Sequence, residues 1–373
     1  MKKMIRKISA MTVAAMLMFG TGATVYADST IGDNIVVASG SSITFTDTFK
    51  ASADDNAQNL PAATFDYEIA PGAGKAATDK SPLIKTGVGT PTISDAVHKA
   101  TAANVVEDKV DVTVDFSGVG FKEAGIYRYA VTEKLAGSSA AEDIVIDTAS
   151  DKDGKFFLDV YVEKNGSGFS PFSYILTSSD ETPGLSTKDG ADEREAAYAS
   201  KIDSITNEYT TYDLTVSKSI VGAMAANDFA FSINISNVPA DVYIAQDSNA
   251  AVIGSGSNSF TARLGDKDST VIKGLPSKAA YAIQEEVEQI EGYSVEVADS
   301  NVNEAVYNWI DAKHFGSKAA TAMGQADINV AFTNTLMTIS PTGVVMRFAP
   351  YMMILGAGIA LVMVSRRRKA EQE

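Results

Sequence analysis

The sequence predicts an all-β protein built of β-sandwiches in tandem, on three observations. Short runs that alternate apolar and polar residues recur along the chain. Dipeptides suited to tight turns separate them, and no long amphipathic helical period stands out between the two ends. The runs include residues 110–114, 127–131 and 158–162, and the turn signals include Asp153-Gly154 and Asn165-Gly166. Many short strands with Gly-rich turns pack as sheet on sheet.

The ends carry addresses rather than fold. Lys2, Lys3, Arg6 and Lys7 precede an apolar run, and Val25-Tyr26-Ala27 gives a small-x-small cleavage pattern. Residues 1–27 are therefore expected to be a secretory signal, with Asp28 starting the mature chain. At the other end Ile339-Ser340-Pro341-Thr342-Gly343 is followed by an apolar stretch, 348–364, and by basic residues 366–369. That stretch is just long enough to cross a bilayer as a helix, and the basic tail should stay on the cytoplasmic side. The whole of 339–373 resembles a sortase cell-wall sorting signal, although Ser340-Pro341-Thr342-Gly343 departs from the commoner Leu-Pro-x-Thr-Gly. The resemblance implies cleavage after Thr342 and transfer of its carbonyl to an amine, leaving the protein attached to the cell wall.

Composition narrows the partners. Residues 28–342 keep 22 basic and 45 acidic side chains, a net charge of −23. So acidic a surface argues against nucleic acid and against docking on anionic lipid. Cysteine is absent. An exported protein without it lacks the usual extracellular staple and needs another crosslink or a large core.

Three small motifs occur twice in the same order. Asp47-Thr48-Phe49-Lys50 is followed by Tyr129-Ala130-Val131-Thr132-Glu133 and Ile205-Thr206-Asn207. Thr215-Val216-Ser217-Lys218 is followed by Tyr281-Ala282-Ile283-Gln284-Glu285 and Phe332-Thr333-Asn334. Each set spans one expected domain, 28–210 and 211–338. Strand parity puts Glu133 with Tyr127, Tyr129 and Val131, Glu285 with Tyr281 and Ile283, Lys218 with Leu214 and Val216, and Asn334 with Val330 and Phe332. Polar residues thus point into apolar layers, where each would cost several kcal/mol unless paired. Lys50 is the exception. Ile43, Phe45 and Phe49 share the parity of Asp47, so Lys50 faces inward only if its strand is bulged or turned.

A buried Lys, Asn and acid can form an isopeptide bond unaided. Desolvation favours a neutral amine beside a neutral acid; the amine attacks the Asn carbonyl, the acid shuttles protons, and ammonia leaves. This is a single-turnover maturation, so the protein is not expected to be an enzyme.

Here the sequence resembles the streptococcal-type major pilin family of Gram-positive bacteria, with intramolecular isopeptide domains. The resemblance rests on Lys50 followed by Leu60-Pro61 and Thr64-Phe65, on residues 122–133 with their Gly-x-Tyr-x-Tyr-x-x-x-Glu pattern, on Leu214-Thr215-Val216-Ser217-Lys218 with Phe229-Ala230-Phe231, and on Pro341-Thr342-Gly343-Val344 with Ala349-Pro350-Tyr351. It implies immunoglobulin-like (CnaB-like) sandwiches crosslinked Lys50–Asn207 and Lys218–Asn334, with Glu133 and Glu285 as the promoting acids. It also implies a pilus shaft subunit whose partners are a sortase, neighbouring subunits and peptidoglycan, with Lys201 as the acceptor lysine. A monomeric wall-anchored adhesin for a host or matrix ligand is the alternative, and a surface hydrolase lacks any visible catalytic set.

Other signals are weaker. Asp151-Lys152-Asp153-Gly154 lacks the remaining ligands of a calcium loop and suits a hairpin turn better. His98 and His314 are the only histidines and lie far apart, so no metal site is expected. No nucleotide-binding glycine loop or Gly-x-Ser-x-Gly elbow occurs, and no cofactor is expected.

Overall fold

A computed structural model of the chain describes residues 17–18, 24–26, 41–53, 55–146, 154–187, 194–222, 228–254, 256–287, 292–302, 306–317 and 319–336. The sorting motif 339–343, the apolar stretch 348–364, the basic residues 366–369 and residues 151–153 lie outside the described residues. So does most of the expected leader. Within it Leu17–Met18 and Thr24–Tyr26 pair with each other, and Thr24–Tyr26 also lies parallel to Arg194–Ala197. Among the described residues no helix is long and apolar enough to cross a membrane.

The main strands of the first half are β1 (Ser42–Ala51), β2 (Ala63–Pro71), β3 (Glu107–Asp115), β4 (Gly125–Ser138), β5 (Lys155–Asn165), β6 (Gly168–Thr177) and β7 (Ser204–Tyr209). β7, β1 and β3 form the centre of a five-stranded sheet; β6, β5, β4 and β2 dominate a seven-stranded one facing it. Alternation places the residues: in β3, Val112 and Val114 are buried while Thr113 between them is exposed. β5 and β6 are joined by Gly166–Ser167, with Gly166 at φ +63°, a left-handed conformation that costs glycine little. Between the sheets lies one apolar core that includes Phe45, Phe49, Phe65, Tyr129, Phe156 and Leu158.

The second half repeats this plan with β8 (Tyr212–Val221), β9 (Phe229–Val238), β10 (Gly256–Leu264), β11 (Ser269–Leu275), β12 (Ala280–Glu286), β13 (Tyr293–Asp299), β14 (His314–Ser317) and β15 (Ile328–Leu336). One sheet centres on β11, β8, β15 and β13, the other on β10, β9, β12 and β14. Its core, including Val216, Phe231, Ile233, Ile283, Val330 and Phe332, is separate from the first.

In each half the first and last strands are parallel neighbours: β1 beside β7, and β8 beside β15. Such a pair has no hairpin of its own and closes only when the whole intervening chain has folded. The halves meet through polar contacts. Buried Asn59 donates to the Asp241 carbonyl at 2.9 Å and accepts from Tyr243 N at 2.8 Å, while Asp143 accepts from Ser277 N at 3.1 Å.

Candidate functional site: two inter-strand polar clusters

In the second sandwich, parallel pairing sets Lys218 opposite Phe332 and Ile220 opposite Asn334. Lys218 and Asn334 therefore lie on one face of adjacent strands, two residues apart in register, both aimed at the core. Glu285 comes from β12 in the facing sheet, where it pairs with Phe231. The three converge. Lys218 Nζ lies 2.7 Å from Glu285 Oε1, and Asn334 Nδ2 donates to the same oxygen at 2.8 Å. All three side chains are buried, and the Phe229 ring sits 4.6 Å beneath the amine.

Burial lowers the Lys218 pKa and raises that of Glu285, each against the attraction of the other. Both shifts favour an uncharged amine and an uncharged acid. Asn334 Oδ1 accepts no hydrogen bond. A half-turn of the amide would bring that oxygen to Glu285, where a protonated carboxyl can donate to it and polarise Cγ. The amine then has its electrophile beside it in a dry core.

The first sandwich assembles the same frame around a different side chain. Asn207 pairs with Phe49, two residues beyond Asp47, as Asn334 pairs with Ile220, two residues beyond Lys218. Glu133 pairs with Tyr67 as Glu285 pairs with Phe231. Glu133 and Asn207 thus occupy the places of Glu285 and Asn334, and the place of the lysine is taken by Asp47. Asn207 Nδ2 donates to Glu133 Oε1 at 2.7 Å and approaches Asp47 Oδ1 at 3.3 Å. The Tyr67 hydroxyl lies 2.6 Å from Asp47 Oδ2 and 2.8 Å from Glu133 Oε1. His98 completes the cluster, with Nε2 3.3 Å from Asp47 Oδ1 and Nδ1 2.8 Å from Asp108 Oδ2. The backbone under Glu133 is fixed by Gly154: Glu133 N donates to Gly154 O at 2.8 Å, and a Cβ on that glycine would sit 2.6 Å from Glu133 O.

The Lys50–Asn207 pairing is therefore corrected. β1 runs in unbroken register with both neighbours from Thr46 to Lys50, with no bulge to turn Lys50 inward. Its amine instead meets Glu208 at 3.2 Å, with 39 % of the side chain exposed. Tyr67, His98 and Asp108 are cluster members outside the repeated motifs, and Asp47, although inside the first motif, is not among the residues expected to react. The parity of Asp47 with Phe45 and Phe49 was the available signal; nothing local marks the other three.

Lys201 lies elsewhere, in the two-residue edge strand Lys201–Ile202 paired with the end of β6, and is half-buried. The chain before it is held down. Glu181 accepts from Ala199 N and Ser200 N at 3.1 and 3.0 Å, and buried Arg128 bonds Asp159 through two nitrogens at 2.7 Å each and the Glu181 carbonyl at 2.6 Å.

The class of protein so defined is a pair of tandem β-sandwiches, the second holding a buried Lys–Glu–Asn set between its terminal strands. Residues 212–336 match the family model described as a domain of unknown function (DUF7601). No curated protein matches the chain. Among solved structures, the major pilin from Streptococcus pyogenes is similar at 19 % identity with a TM-score of 0.51, covering 80 % of this chain and 99 % of that one. A variant of that pilin is similar at 18 % identity with the same TM-score and coverage. The all-β fold is thus similar to that of the Streptococcus pyogenes major pilin.

Proposed function

We propose that this chain is a structural subunit of a cell-surface pilus, stabilised by a self-formed Lys218–Asn334 isopeptide bond in its second sandwich. The observation that carries the reading is the convergence of Lys218, Glu285 and Asn334 between the first and last strands of a sandwich whose fold is that of a major pilin. Glu285 takes the ammonium proton, the neutral Nζ attacks Cγ of Asn334, and the C–N bond to the departing nitrogen breaks as Glu285 delivers that proton to it and takes a second one from Nζ. One ammonia leaves, and no oxidant or cofactor takes part.

The weld would close a loop of about 116 residues. By the chain-entropy reasoning used for disulfides, this adds about 5 kcal/mol. It also joins the two parallel strands at which the sandwich begins and ends, so a pulling force would pass through a covalent bond and bypass the remaining strands. That suits a Cys-free fibre subunit.

Sortase would polymerise the subunits from Thr342 onto Lys201 of a neighbour and attach the last one to peptidoglycan. Its place on a short edge strand supports Lys201 as the acceptor, because it is only half-buried there. Intact mass of residues 28–342 tests the weld: the deficit should be one ammonia, abolished by Glu285→Ala. A mass equal to the sequence would sink it. Detergent-resistant ladders on cells, lost in Lys201→Ala, test the polymer; a single band would favour a monomeric adhesin.

A further inference from the structure

We propose that His98 is an imidazolium that serves as the counter-charge of buried Asp47, giving the first sandwich a proton-dependent latch where the second has a weld. Among the described residues the partners of Asp47 are Tyr67, His98 and Asn207, and none is a lysine or arginine. A carboxylate with no exposed surface needs a counter-charge, and His98, itself only 1 % exposed, is the group positioned to provide one.

The ring's own geometry points the same way. Both nitrogens face carboxylate oxygens, Asp47 Oδ1 on one side and Asp108 Oδ2 on the other. Ionised carboxylates only accept, so both contacts are satisfied when both ring nitrogens carry protons. A neutral ring would set one bare nitrogen against an oxygen lone pair. The Phe49 and Phe65 rings pack around it at 5.6 and 5.7 Å, holding it in this orientation. These contacts raise the His98 pKa although burial opposes them.

Tyr67 stands between the two acids, its hydroxyl within 2.8 Å of an oxygen of each, and Asn207 donates to both. Among the described residues, the groups facing this network include Asp47 from β1, Tyr67 from β2, Asp108 from β3, Glu133 from β4 and Asn207 from β7. Asp108, with 35 % of its side chain exposed, links the ring to solvent and gives the proton a route in and out.

Nitrogen NMR of the folded chain with labelled histidine tests this directly, since there are only two histidines and His314→Gln identifies the other. At about pH 7.5, where a free imidazole is roughly one-tenth protonated, both His98 nitrogens should bear protons. Asp108→Asn should shift the His98 midpoint downward. A bare His98 nitrogen at that pH, or a midpoint at or below the ordinary histidine value, would overturn the proposal.

Discussion

The two sandwiches place the same frame around opposite chemistries. In the second, a basic residue, an acid and an amide meet between terminal strands, and the pKa shifts of both titrating groups favour a neutral amine beside a neutral acid. In the first, the acid and the amide keep their places while an aspartate stands where the amine would be. The exchange removes the nucleophile and puts a second acid in its place. Tyr67, standing where Phe231 stands in the other half, and His98 then supply the hydrogen bonds and the charge that a buried aspartate requires. One residue at one register position thus separates a site equipped for a permanent bond from one that holds its strands by protons.

That contrast can be broken most severely at Lys218. Lys218→Ala removes the amine and should lower the stability of the second sandwich by about 5 kcal/mol in denaturant unfolding, with the first sandwich unchanged. Equal loss in both transitions would show that the halves do not act separately. The converse substitution, Asp47→Lys, places an amine beside Glu133 and Asn207. Its mass should fall short of the sequence by one more ammonia than the parent, and an unchanged deficit would show that the first frame cannot react.

Smaller effects sharpen the comparison. His98→Gln leaves Asp47 without its counter-charge and should cost the first sandwich about 3 kcal/mol, seen as a lower unfolding midpoint. The same contribution should depend on pH in the unmodified chain. Because its partners raise the His98 pKa, this stabilisation is complete below the unfolded value of about 6.5 and is lost as pH rises through the higher folded value. The second sandwich, whose lysine the proposed weld consumes, should show no matching loss over that range. Least of all, Tyr67→Phe copies the second sandwich's Phe231 and removes the hydroxyl between two acids. It should cost about 1–3 kcal/mol, with the His98 midpoint moving as the two carboxyls lose their shared bridge.

Much of this was legible in the residues. Strand periodicity and turn dipeptides specified sheet on sheet, because burial of one face imposes a period of two whatever the partner. The repeated order of motifs located Glu133, Glu285, Asn207, Asn334 and Lys218, all of which prove buried. Parity also left Lys50 in the wrong phase, and the unbulged β1 keeps it there. A motif with Lys at its end was stronger as a pattern than as geometry, since Phe49 and not Lys50 shares the inward face.

What the sequence determined by itself is therefore which side chains point inward, a property that follows from alternation along a single strand. Only the tertiary structure decided which of them meet. Asp47, Tyr67, His98, Glu133 and Asn207 lie on five strands spread over about 160 residues, and their contacts depend on register between strands and on the facing of two sheets. Those relations are set by packing of the whole sandwich, and no local pattern encodes them.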